Sequence, residues 1–193
     1  MYITIEGIDT AGKSTQIEAV SKSFPNAILT KEPGATEIGK EIREMVLSAR
    51  AKSKKAEFLL FLADRAEHIK EVIEPNIDTK MIISDRSAVS GVAYAITQGE
   101  ISKEELVSLN HFATNRLYPE KVFLLKLTKE ALEFRLSQKE LDGIELRGSE
   151  YLLNIQDAII EATQLLGLEL VEIDATLQRE EITSLILEHI KKR

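Results

Sequence analysis

Residues 2–15, YITIEGIDTAGKST, constrain the fold more than any other part of the chain. An alternating apolar run ends at Glu6, Gly7 and Gly12 bracket a tight loop, and Lys13 and Ser14 open a segment that can be helical. The spacing is G-x-x-x-x-G-K-[ST]. Glycines there let backbone N–H groups curl round a phosphate, and the N-terminus of the following helix adds partial positive charge. A chance glycine-rich turn would lack the strand before and the helix after, and that context confirms the motif.

The rest of the chain repeats the alternation. AILT (27–30), MIIS (81–84), VFLLKL (122–127) and LELVEI (168–173) join YITIE as short runs of Ile, Leu and Val, which read as buried strands. EIGKEIREMVLS (37–48), EFLLFLADRAEHIKEVI (57–73) and KEELVSLNHFATNRL (103–117) have helical spacing. The expectation is an α/β fold, a five-stranded parallel sheet with helices on both faces, in a single domain over residues 1–193. SARAKSKKAE (48–57) reads as a solvated connection. RLSQKELDGIELRGSE (135–150) is polar and hinged by Gly143 and Gly148, which suits a short lid or a plain surface loop.

Composition narrows the chemistry. The chain has no cysteine, which excludes disulfides, thiol nucleophiles and cysteine-held metals. Its 25 basic and 32 acidic residues leave a net charge of −7, so no broad nucleic-acid-binding surface is expected and phosphate must be met by a local basic cluster. No apolar run approaches a membrane span and the start lacks a signal-peptide pattern, so the expected location is cytoplasmic, away from membranes.

Gly7, Ile8, Asp9, Thr10, Ala11, Gly12, Lys13, Ser14 and Thr15 are the candidates for binding a nucleoside triphosphate, with Lys13 reaching the outer phosphates and Ser14 ligating Mg²⁺. The loop alone does not choose among motors, switches and small kinases. No base-reading N-K-x-D is present, which disfavours a GTP switch. A small-molecule kinase needs a second pocket for an acceptor. Phe61 and Arg65 lie four apart on one helix face, a stacking plane beside a guanidinium fork, as a nucleobase requires. Each also has an ordinary use, Phe61 in a core and Arg65 in a surface ion pair. Asp85 and Arg86 follow MIIS at the strand end where open parallel sheets bind ligands. Asp85 suits Mg²⁺ and Arg86 suits an acceptor phosphate, unless the two form a structural ion pair. Asp9 is out of place in a loop that attracts phosphate. It either caps the turn or serves a different ligand.

Taken together the motifs resemble the thymidylate kinase family: EGIDTAGKST as its phosphate loop, KEPGAT (31–36) as its R-E-P-G-G-T segment, LLFLADRAEH as its base-stacking helix and DRSAVSGVAY as its D-R-Y segment. The resemblance covers essentially the whole chain. It implies phosphoryl transfer from ATP to dTMP with Mg²⁺, and a homodimer formed by helices on one side of the sheet. It implies that Asp9 faces the acceptor sugar, that Phe61 stacks on thymine, that Arg65 bonds the O4 edge, and that Arg86, aided by Arg43, binds the monophosphate. Glu32 and Pro33 fall in the acceptor-side segment, and Ser90, Gly91 and Tyr94 line the base and sugar. Arg135, Lys139 and Arg147 are the lid cations implied to meet the ATP phosphates. Lys31, Ala35, Ser87 and Gly143 depart from the family pattern, so a kinase of different base preference and a nucleotide-binding module without transfer activity are the competing expectations.

Overall fold

The computed structural model describes residues 1–48, 51–138, 140 and 145–192. Five parallel strands, β1 (Tyr2–Glu6), β2 (Ile28–Lys31), β3 (Ile82–Asp85), β4 (Lys121–Lys126) and β5 (Leu170–Asp174), form one sheet in the order β2-β3-β1-β4-β5. Helices α1 (Lys13–Ser21), α2 (Glu37–Leu47), α3 (Lys54–His68), α4 (Ala88–Gln98), α5 (Lys103–Thr114), α6 (Lys129–Leu136), α7 (Ser149–Leu165) and α8 (Arg179–Lys191) connect and cover it.

The central strand explains the layering. Successive side chains of a strand point to opposite faces, and every residue of β1 is buried, so both faces are covered. Ile3 and Ile5 belong to one face, and Thr4 and Glu6 to the other. Helix α1 packs with α8, and α4 packs with α7. The order reverses at β1, whose neighbours are β3 and β4. That reversal opens the crevice at the C-terminal strand edge where ligands of such sheets bind.

Strand positions match the apolar runs, with ends shifted by one or two residues: β2 takes in Lys31, β3 takes in Asp85 and β5 takes in Asp174. Polar residues close these strands because ladder pairing is a backbone property, as in the register Lys31↔Asp85 and Lys126↔Asp174. Two expectations are corrected. The stretch 48–57 is not wholly a connection, because α3 begins at Lys54. Ser53 caps it by accepting from the Ala56 N–H at 3.3 Å, and Lys54 pairs with Glu57 at 2.8 Å. The helix read as continuous over 57–73 changes at His68 into a single wider π turn, Ile69–Ile73.

Candidate active site

The phosphate loop leaves β1 at Gly7. A side chain at Gly7 would stand 2.9 Å from the Leu125 carbonyl oxygen, so only glycine lets the loop pass over β4. Gly12, at φ 97°, caps α1 in the left-handed region that glycine adopts without strain. Ile8 and Ala11 are buried in the core, and the Ala11 N–H closes the loop on the Ile8 carbonyl at 3.2 Å. Lys13 is nearly buried. Its Nζ donates to the Ile8 carbonyl at 3.1 Å and lies 3.6 Å from Asp9 Oδ1. Burial and the neighbouring Arg86 push its ammonium below its usual range, while Asp9 opposes them. The charge therefore gains most when a polyanion arrives. Ser14 and Thr15 face solvent.

Two cavities meet at this edge. One, of about 490 Å³, is lined by Thr10, Gly12, Lys13, Ser14, Thr15 and Asp85. The other, of about 410 Å³, is lined by every acceptor residue expected from the sequence: Asp9, Glu32, Pro33, Arg43, Phe61, Arg65, Arg86, Ser90, Gly91 and Tyr94. Asp9, Glu32, Arg43 and Arg86 line both. Both volumes suit a small ligand.

Arg86 stands at the junction. It follows β3 directly with φ 68°, uncommon for a residue bearing a side chain. Its N–H donates to the Ile5 carbonyl at 3.2 Å, and its own carbonyl accepts from Ser84 Oγ at 2.6 Å, which holds the turn. The guanidinium donates to Asp9 Oδ1 at 2.8 Å and to Ser90 Oγ at 3.0 Å. Burial raises the Asp9 carboxyl, but Arg86 and Lys13 outweigh it and hold the group below its usual value. Asp9 is thus an ionised acceptor between the cavities, and its ion-pair partners are Arg86 at 2.8 Å and Lys13 at 3.6 Å.

The far end of the larger cavity is built on Arg65. Its Nε donates to Glu32 Oε2 at 2.9 Å and its NH1 to Asn110 Oδ1 at 2.9 Å. The other Glu32 oxygen meets His68 Nδ1 at 2.9 Å, and His68 Nε2 meets Thr30 Oγ1 at 2.7 Å. Burial would raise the Glu32 carboxyl, yet Arg65 and His68 hold it low. NH2 of Arg65 remains on the cavity side. A Cβ at Gly91 would lie 2.7 Å from it, so glycine keeps that approach open. Phe61, one helical turn before Arg65, is half-buried on the cavity wall. Arg43 donates to the Pro33 carbonyl at 2.9 Å, across the cis Glu32–Pro33 bond.

The expected lid cations have separate positions. Arg135 lies in the last turn of α6 and donates to the carbonyls of Thr10, at 2.8 Å, and Ala175, at 2.5 Å, so it braces the crown of the phosphate loop. Arg147 is exposed and donates to Tyr151 Oη at 2.9 Å with its guanidinium 4.8 Å from that ring. Lys139 and Gly143 lie outside the described residues. Sequence reasoning missed Glu6, Asp64, His68 and Asn110. All four are buried polar side chains, on elements read for their apolar spacing or, on α3, for Phe61 and Arg65. The signal for Glu6 was an acid closing a buried strand.

Mg²⁺ can be tested against the donor set. Oδ1 of Asp85 is buried without a hydrogen-bond partner. It lines the same cavity as the solvent-facing Ser14, beside Lys13. A carboxylate oxygen and a hydroxyl next to a phosphate site are the few protein ligands Mg²⁺ takes when substrate phosphates complete its shell. The residues fit.

A phosphate cradle and a basic, aromatic-walled pocket opening onto the same four side chains define a small-molecule kinase of the phosphate-loop class. The chain belongs to the thymidylate kinase family, whose model matches residues 5–186. It is 69% identical to the thymidylate kinase of Sulfurimonas denitrificans over 98% of this chain and 99% of the relative. It is 55% identical to that of Aliarcobacter butzleri over 96% of each. Among solved structures, the crystal structure of thymidylate kinase from Ehrlichia chaffeensis has the same fold, with a TM-score of 0.77 at 23% identity over 99% of this chain and 98% of that one. The activity of the family is ATP-dependent phosphorylation of dTMP to dTDP, and it is the activity of this chain.

Proposed function

We propose that the cavity of about 410 Å³ around Phe61 takes dTMP, that the loop cavity takes ATP, and that transfer occurs between them at Asp9 and Arg86. The observation that carries this reading is that these two side chains line both cavities. Phe61 stacks the base and NH2 of Arg65 donates to its O4 carbonyl. Ser90, Gly91 and Tyr94 flank the sugar, with Asp9 accepting from a sugar hydroxyl. Arg86, supported by Arg43, binds the acceptor phosphate.

An oxygen of that phosphate forms the bond to the γ-phosphorus, and the bond from the γ-phosphorus to the β–γ bridging oxygen breaks, leaving ADP and dTDP. The acceptor oxygen is already anionic, so no general base is required. Lys13 and the loop amides hold the donor, and charge developing on the transferred group falls between Lys13 and Arg86. Bound Mg²⁺, held by Ser14 and Asp85, would neutralise donor phosphate charge. Arg135 keeps the crown of the loop in place through the Thr10 carbonyl. Lys139 and Arg147 are the cations for closure over the donor.

Exposed large apolar side chains on α3 and α5, Leu59 and Phe112, support a homodimer through those helices. The proposed location is the cytoplasm; among the described residues no helix is long and apolar enough to cross a membrane.

The test is acceptor-dependent ADP formation from Mg-ATP with dTMP, dUMP, dCMP, UMP and AMP in parallel, repeated with Mg²⁺ chelated. The expected result is fastest turnover with dTMP, lost on chelation. ATP binding with no acceptor-dependent ADP would sink the transfer mechanism, and a different preferred monophosphate would sink the base pocket.

A further inference from the structure

Beneath Arg86 lies a carboxylate that neither cavity uses directly. Glu6 closes β1 and is fully buried. Its Oε2 accepts from Ser90 Oγ at 2.5 Å and its Oε1 from Ser87 Oγ at 2.8 Å, with Thr4 Oγ1 at 3.4 Å. Ser87 also caps α4, its Oγ accepting from the Val89 N–H at 3.2 Å. The acid of the central strand is therefore tied to the first turn of the helix that carries the acceptor pocket.

A buried carboxylate is a poor way to gain stability, because its desolvation opposes what its partners return. What the arrangement fixes is direction. A serine hydroxyl has one proton and two lone pairs, and a guanidinium can only donate. The Ser90 proton is committed to Glu6, so its lone pairs must face Arg86, whose NH1 donates to it at 3.0 Å. The other terminal nitrogen, NH2, is committed to Asp9 at 2.8 Å. With both ends tethered, the plane of the guanidinium is set and its remaining N–H groups stay free for phosphate. Loss of the Glu6 charge would release the Ser90 hydroxyl to turn, and with it one of the two tethers.

We propose that Glu6 is the positioning residue that aims Arg86 at the acceptor phosphate, acting through Ser90. The inference rests on the placement of the acceptor phosphate at Arg86 in the proposed function. The closing experiment separates the two by comparing dTMP with thymidine, which lacks the phosphate. Calorimetric affinities for both ligands are measured on the full chain, unmodified and as Glu6→Gln, which keeps shape and removes charge. The expected result is about 10-fold weaker binding of dTMP, on the scale of losing an outer-shell orienting group, with thymidine affinity unchanged. In an Arg86→Ala background the same substitution should add nothing, because residues acting through one chain of contacts are not additive. Ser90→Ala, which removes the tether itself and leaves the buried acid in place, should weaken dTMP more than thymidine.

Equal weakening of dTMP and thymidine would reduce Glu6 to a structural role and overturn the inference. So would a folded Glu6→Gln protein with unchanged dTMP affinity, or a full further loss in the Arg86→Ala background. If the unmodified chain itself binds thymidine and dTMP equally, the placement of the phosphate at Arg86 fails, and the role of Glu6 fails with it.

Discussion

Arg65 and Arg86 stand at opposite ends of one cavity and both pair with carboxylates, but they are held in different ways. Arg65 is 2% exposed and has two of its three nitrogens tied to Glu32 and Asn110, inside a chain that runs on through His68 to Thr30. Its side chain is 2% exposed against 16% for Arg86, whose partner Asp9 is 32% exposed. The end proposed for the base is therefore built into the fold, as a pocket that reads a neutral ring must be, since a misplaced donor there is not corrected by long-range attraction. The end proposed for the acceptor phosphate keeps its charges nearer the surface, where a dianion can be met and released. Breaking the base end should cost stability first, and breaking the phosphate end should cost rate.

The largest effect should follow Glu32→Ala. It strands Arg65 as a buried, uncompensated charge, for which about 3–5 kcal/mol of destabilisation is expected, visible as a lower midpoint in urea unfolding. Next comes Arg86→Ala, which should cut kcat for dTMP by about 10²–10³ while the unfolding midpoint hardly moves. If Arg86→Ala unfolded as readily as Glu32→Ala, the distinction between the two ends would collapse.

The smallest effect belongs to Asp64, on α3 beside the buried network. Burial raises its carboxyl from 3.8 to about 6, opposed by the Gly34 N–H that donates to it at 2.9 Å. Because the folded value is the higher one, the folded state binds the proton more tightly. Its contribution to stability is full below pH 3.8 and is lost as pH rises through about 6. Asp64→Asn keeps an oxygen for Gly34 and cannot ionise. Relative to unmodified protein it should therefore gain stability from pH 4 to pH 7, measured as the difference between their unfolding curves. A flat difference across that window would mean that Asp64 is ordinarily ionised in the fold.

Much of the site was legible because it is written in local spacing. The glycines of the phosphate loop, the four-residue step from Phe61 to Arg65 and the acid–base pair closing β3 each carry their geometry with them, and the structure brings Phe61, Arg65 and Arg86 to one cavity. Ser87 reads in the sequence only as a departure from the family pattern. In the fold it is a helix cap and a donor to Glu6, a use invisible without the partner 81 residues away. The resemblance implies that Arg135 is a lid cation for the ATP phosphates, and the fold adds its hydrogen bonds to the Thr10 and Ala175 carbonyls, which lie far from it along the chain.

The sequence by itself determined the layered α/β plan, the phosphate cradle and which side chains could recognise a nucleotide, because periodicity and glycine placement act over a few residues. Only the tertiary structure decided how those side chains are held. The buried acids Glu6 and Glu32 are spent on Arg86, by way of Ser90, and on Arg65, and Asn110 reaches across from α5. Desolvation makes a buried polar group find partners, but the partners are chosen by the packing of distant elements, and no local pattern records that choice.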